Sequence, residues 1–150
     1  MDTLGFDSVA RQLSLYREQL LHVAESIKEQ AFDIRFKSGQ PVSICGKDGV
    51  FFLKEEGGVT RALVDGLIRT TPAQLQELFL QICAHSVFSH EHEIRRGYVR
   101  MNSAYRVGVC GTAVLEDGRI KSVRDVTTLV FRIPREMRGC AHRLFLEDTD

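Results

Sequence analysis

The sequence predicts an α+β fold, an antiparallel sheet with helices against it, on three observations. Apolar residues recur at three- and four-residue spacing near the N-terminus, as on an amphipathic helix. A second helix is announced by Thr71-Pro72, an N-cap with proline at the first helical position. In the stretch from Glu93 to Leu144 arginine and glycine alternate with β-branched runs, ending in an arginine-bracketed proline and a Gly-Cys-Ala turn, as in an arginine-studded antiparallel sheet. At 150 residues the chain fits one domain. A helical subdomain over residues 1–31 is the one internal division that the pattern suggests.

Taken in order, Ser8 is a plausible N-cap for a helix running to about Gln30. Its apolar stripe is Val9, Leu13, Tyr16, Leu20, Val23 and Ile27. Phe32 to Lys37 alternates as a strand, with Phe32, Ile34 and Phe36 on one face and Asp33, Arg35 and Lys37 on the other. Ser38-Gly39-Gln40-Pro41 is a turn. Val42–Cys45 and Val50–Leu53 are short strands around the turn Gly46-Lys47-Asp48-Gly49, and Gly57-Gly58 marks a flexible break. The helix opened by Thr71 runs to about His85 or Ser86. A short helix around His90–Arg96 ends at Gly97, a favourable residue just past a helix end. Strands follow at Tyr98–Met101, Arg106–Leu115, Ile120–Val123 and Val126–Ile133, with Glu116-Asp117-Gly118 as the turn between the second and third. Pro134 stops the last strand and opens a short helix toward Arg143. The tail Glu147–Asp150 reads as a linker or an artificial chain end.

Composition excludes several classes. No apolar run approaches the roughly 20 residues of a membrane span, and the N-terminus lacks the basic-then-apolar pattern of a signal peptide. Cys45, Cys83, Cys110 and Cys140 lie among apolar or small residues and read as reduced core thiols of a cytosolic protein. The zero net charge hides an asymmetry. From Arg95 to Arg143 ten Arg and one Lys stand against four acidic residues, a balance of +7, whereas Met1–Ile94 carries −4 and the last seven residues −3. Such halves can satisfy one another within one domain or between copies.

Candidate sites each have a plain structural reading beside the chemical one. Cys83, His85, His90, His92, Cys140 and His142 invite a metal, but the spacing fits no standard zinc pattern, so no metal site is expected. Gly108 and Gly111 flank Cys110 in a strand and suit a bulge, a close approach to a ligand or, more simply, sheet packing. Asp33 and Arg35 share a polar strand face and suit structural pairing across the sheet. No nucleophile–base pair is evident, so the chain is not expected to be an enzyme by itself. The basic sheet offers an alternative, a nucleic-acid-binding module. Against it, the segment supplies only Tyr98, Tyr105 and Phe131 for stacking, and the chain is not basic overall.

Several segments carry a family resemblance. FDIRFKSGQPVSI from Phe32, TPAQLQELFLQICAHSVFSHEHEIRRGYV from Thr71, and above all YRVGVCGTAV and VRDVTTLVFRIPREMRGCA, in that order and spacing, resemble the N-terminal domain of the stage III sporulation protein AA family of secretion-type ATPases. The chain departs from the family where Ser103-Ala104 replaces a glycine pair and Lys37 replaces an arginine. The resemblance implies a sheet-and-helix fold similar to the N-terminal domains of type II and IV secretion ATPases. It also implies a P-loop ATPase domain that this chain lacks. The only Gly-Lys is Gly46-Lys47, followed by Asp48, with Pro41 where the first P-loop glycine belongs.

By that resemblance the chain is a non-catalytic regulatory and assembly domain, cytoplasmic and at the periphery of a membrane complex. It would assist oligomer assembly, sense nucleotide and dock to a mother-cell-to-forespore channel. Arg106, Arg124 and Arg132 are the candidate contacts to nucleotide held by the ATPase domain, since a guanidinium is always charged and binds phosphate bidentately. The chain itself would need no cofactor; ATP and Mg²⁺ would belong to the longer protein. Its partners would be further copies of itself and membrane proteins of the channel, with no nucleic acid.

Overall fold

The computed structural model describes residues 3–135. Its architecture is α+β: a curled, antiparallel, seven-stranded sheet in the order β4-β3-β2-β1-β7-β6-β5. The strands are β1 Ala31–Lys37, β2 Ser43–Gly46, β3 Gly49–Leu53, β4 Val59–Thr60, β5 Tyr98–Met101, β6 Tyr105–Glu116 and β7 Arg119–Arg132. The helices are α1 Leu4–Gln12, α2 Arg17–Leu21, α3 Glu25–Gln30, α4 Pro72–Ile82 and α5 Glu91–Ile94, the last preceded by a 3₁₀ turn at Val87–His90.

Register makes one face of the sheet the core. Val99, Val107, Phe131, Ile34, Ile44 and Phe51 occupy facing positions on six successive strands, and all six are buried. Helices cover this face. Tyr16 stacks on Phe36 at 6.5 Å between ring centroids, and Phe36 meets Phe131 edge-on at 5.5 Å. Gln76 of α4 donates to the Val123 carbonyl of β7 at 2.7 Å. Phe6, Val9, Leu13, Leu20, Leu75, Leu78 and Phe79 join the same buried cluster.

The expected N-terminal helix is three helices. Thr3, not Ser8, precedes α1, and the Ser8 hydroxyl meets the Tyr105 hydroxyl instead. The chain leaves α1 extended at Leu13, reverses at Tyr16 with φ 59°, and is extended again at Ala24. Reversal packs α1 against α2, so that Val9 and Leu13 before the turn and Leu20 and Val23 after it all reach one core. The stripe is buried as its spacing predicts, with Tyr16 and Ile27 half-buried; the continuous helix is not formed. Lys28 of α3 binds Asp7 of α1 at 2.7 Å and holds the three together.

Phe32 is exposed and Asp33 buried, against the predicted alternation, because β1 shifts register against β2 between Ala31 and Asp33. Ile120–Val123 and Val126–Ile133 are not two strands but parts of β7. The break sensed at Arg124-Asp125 is a bulge, with Asp125 at φ 52°. Helix α4 opens with a complete capping box, Thr71 and Gln74 bonding each other's backbone amides at 2.9 and 3.1 Å. It ends at Ile82, short of His85, because Ala84 and His85 both turn left-handed. The expected helix at His90–Arg96 is the 3₁₀ turn plus α5, closed by Gly97 at φ 89°.

Gly57-Gly58 is a tight turn between β3 and β4, not a flexible break, with Gly57 N–H donating to Lys54 at 3.0 Å. Asp117-Gly118 forms a two-residue hairpin turn with both φ positive, the twist that suits a hairpin. Where Ser103-Ala104 replaces the family's glycine pair, Ser103 and the preceding Asn102 take the left-handed conformation and Ala104 does not. The helix expected after Pro134 and the tail lie outside the described residues.

Candidate functional site

The face of the sheet opposite the core carries a row of polar side chains. Arg106 precedes core-facing Val107 and Arg132 follows core-facing Phe131, so the alternation of a strand sends both to the other face. The register that pairs Val107 with Phe131 sets Arg106 and Arg132 opposite one another. It extends the row through Arg100 on β5 and Asp33 on β1. Three arginines thus sit on adjacent strands, each about 5 Å from the next in the hydrogen-bonding direction.

Two contacts shape the row. The Arg106 guanidinium lies 4.0 Å from the centre of the Tyr98 ring, a cation–π contact that positions a long side chain on an aromatic face. At the other end Asp33 is held by Arg35, two residues along the same strand. The Arg35 Nε–H donates to Asp33 Oδ1 at 2.8 Å and a terminal N–H donates to Oδ2 at 3.3 Å. That bond raises the Arg35 pKa further above its already high value. Asp33 and Arg35 therefore form the structural pair expected of them, along one strand rather than across the sheet. Arg132 is exposed beside this pair, and among the described residues it makes no ion pair.

The structure does not bring Arg124 to the same place. It shares β7 with Arg132 and lies eight residues away, roughly 25 Å along the strand. It is exposed and sits 3.8 Å from Asp125 at the bulge.

Several other expectations resolve into packing. A Cβ on Gly111 would lie 2.9 Å from Val123 and 3.2 Å from the Arg124 carbonyl, so this glycine admits the bulged strand. Gly108 faces only ordinary contact with Val130. Gly46 and Gly49 close a two-residue turn around Lys47-Asp48, whose backbone binds the Gln30 carbonyl and side chain at 3.0 and 2.8 Å. Those amides cannot also cradle a phosphate, so this turn holds no nucleotide.

Among the described residues no group of three metal-ligating side chains exists. Cys83 is fully buried, and burial, aided by the charge of Glu93, pushes its thiol up to about 12. His90 faces Glu93 at 3.1 Å. Cys140 and His142 lie outside the described residues. The thiols are not uniformly core: Cys45 is half-buried and Cys110, on the outer face of β6, is exposed.

A second charged centre was not anticipated. Glu91 is buried, and its carboxylate accepts from Arg119 Nε at 2.6 Å, from an Arg95 terminal nitrogen at 3.0 Å and from the Ile120 backbone N–H at 2.8 Å. Arg95 also donates to the Gly118 carbonyl at 2.7 Å, and Arg119 stacks over Phe88 at 4.7 Å. The Ile120 amide above all, with the two arginines, holds the Glu91 carboxyl down at about 2. This carboxylate clamps α5 onto the turn of the β6–β7 hairpin. The four-residue spacing of Glu91 and Arg95 on a helix was its one sequence signal.

No helix among the described residues is long and apolar enough to cross a membrane. No solved structure matches the chain. A stage III sporulation protein AA from Bacillus subtilis (strain 168) is 24% identical over 131 residues, which is 85% of this chain and 38% of that protein. The chain therefore spans well under half the length of the relative it matches. The family described as "Sporulation stage III, protein AA" matches residues 7–149, and so takes in α1 from Asp7 onward, the three strands that carry the arginine row and the clamp on Glu91. On that match through nearly its whole length, the chain belongs to the sporulation stage III protein AA family.

Proposed function

We propose that this chain is a non-catalytic domain of a sporulation ATPase. It assists assembly of the oligomer, senses nucleotide held by a P-loop domain, and docks the motor, from the cytoplasmic side, to the membrane proteins of a channel between mother cell and forespore. The observation that carries the nucleotide role is the adjacency of Arg106 and Arg132 on the open face of the sheet. Two guanidinium groups on neighbouring strands suit the oxygens of one terminal phosphate, and stabilising charge there is what arginines contribute to phosphoryl transfer. Tyr98 holds one of the two by its ring face. Arg124 is too distant to meet the same phosphate. ATP and Mg²⁺ would be held elsewhere, because the turn at Gly46-Lys47 has its amides committed to Gln30.

The test compares two readouts. Arg106→Ala and Arg132→Ala, made in a longer protein that carries the ATPase domain, are expected to lower kcat by on the order of 10²-fold, as loss of a phosphate-stabilising arginine does. In the 150-residue chain each is expected to change stability by no more than about 1 kcal/mol, as for exposed charges. Undiminished turnover in the longer protein would remove the nucleotide role.

A further inference from the structure

Beyond the arginine row, the sheet has an unguarded edge. Strand β5 pairs with β6 only as far as Gly108, and the last bond on that side is Val109 N–H to the Gly97 carbonyl at 2.8 Å. From Cys110 to Glu116 no described strand adjoins β6 on the side away from β7. Six of these seven residues are exposed and Val114 is half-buried. Open edges in folded proteins are ordinarily blunted by charge, by proline or by a bulge on the edge strand itself. Here Val107 to Leu115 contains neither charge nor proline. Both register irregularities place their extra residues on β7. Asp125–Thr127 stand opposite Gly111 alone, and Lys121 falls between the partners of Val114 and Leu115. The outermost strand is left regular while its inner neighbour absorbs the distortion.

The edge is also self-complementary. Turned about a two-fold axis through Ala113, Cys-Gly-Thr-Ala-Val-Leu-Glu meets itself antiparallel. Thr112 then faces Val114 of a second copy, a β-branched pair of the kind that stabilises neighbouring strands. Leu115, 58% exposed, faces Gly111, where no side chain occupies the space. The one charge on the edge, Glu116, faces Cys110 and is already 3.5 Å from Lys121 of its own chain, so no like charges oppose the pairing.

We propose that the β6 edge pairs with the β6 edge of a second copy, continuing the sheet across a two-fold axis as an isologous interface. This gives the assembly role proposed above a defined surface. It stands apart from the arginine pair, because its readout is association and not turnover.

Sedimentation of the chain over a concentration series tests it. The expected result is a dimer whose Kd rises about tenfold or more in Thr112→Lys, which sets two like charges on one face of the paired edge, while the thermal midpoint of the monomer is unchanged. With Cys110→Ser as background, Ala113→Cys is expected to give a disulfide-linked dimer on oxidation, since Ala113 faces itself across the axis. Lys121→Cys, one strand in, is not. A chain that stays monomeric up to about 1 mM, a dimer indifferent to Thr112→Lys, or cross-linking no better at 113 than at 121 would each overturn the proposal.

Discussion

Leu20→Ala removes three carbons from a fully buried side chain on a helix of five residues. At about 0.8 kcal/mol per buried methylene the transfer loss alone is about 2.4 kcal/mol. The cavity left behind adds to this, and fully buried Leu→Ala changes fall at roughly 2–5 kcal/mol. A value of about 3 kcal/mol is expected, because α2 has little else to hold it. A helix this short is not stable alone, and α2 begins at a left-handed Tyr16 with no side-chain cap. What remains is the Tyr16 hydroxyl, which donates to either the Arg69 carbonyl at 3.1 Å or Gln74 Oε1 at 3.2 Å, and Lys28, which donates to the Leu21 carbonyl at 2.6 Å. Urea unfolding followed by circular dichroism measures the change, with Leu21→Ala, half-buried on the same helix, as the comparison. The thermal midpoint should fall by about 6–12 °C for Leu20→Ala and by clearly less for Leu21→Ala. A loss below about 1 kcal/mol, or equal losses at the two positions, would refute the burial of this stripe against the sheet.

Two further outcomes follow from the geometry. Thr71→Ala breaks the reciprocal cap of α4 and should cost about 1 kcal/mol in urea unfolding, with Thr71→Ser recovering most of it. The Glu91 carboxyl is lower in the folded protein, about 2, than its ordinary 4.5, so its charge stabilises the fold above about pH 4.5 and that stability is lost as the pH falls toward 2. Glu91→Gln should therefore flatten stability against pH within that window and leave the slope above it unchanged; an acid-unfolding profile like that of the unchanged protein would contradict the clamp.

What could be read from the sequence was what depends on a few neighbouring residues. The Thr71-Pro72 cap, the Asp117-Gly118 turn and the alternation of Ile34 and Phe36 each rest on local stereochemistry, and each is present. The misreadings rest on tertiary demands. The reversal at Tyr16 puts a non-glycine residue in a left-handed conformation, which no local pattern signals; packing α1 on α2 decides it. The bulges at Phe32 and Asp125 exchange faces or merge strands through one or two residues of slip, which periodicity cannot resolve. The site divides the same way. That arginines stud the last strands was evident from composition. That Arg106 adjoins Arg132 while Arg124 lies far along the same strand depends on register. The Glu91–Arg119 bond joins residues 28 apart and needed the fold to bring them together.

The three described thiols differ in burial by position on the sheet and helices, and this makes the molecule its own reporter of opening. Cys110, on the outer face, is available to an alkylating reagent in the native state, whereas Cys83 at the end of α4 has almost no thiolate at neutral pH and no solvent contact. Labelling of Cys83 must wait for the core around α4 to separate, so its rate, divided by that of the unfolded chain, yields the free energy of that opening directly. Cys45, half-buried on β2, times the opposite half of the sheet. One reagent and one mass spectrum over time would thus distinguish a domain that opens as a unit from one that loosens strand by strand.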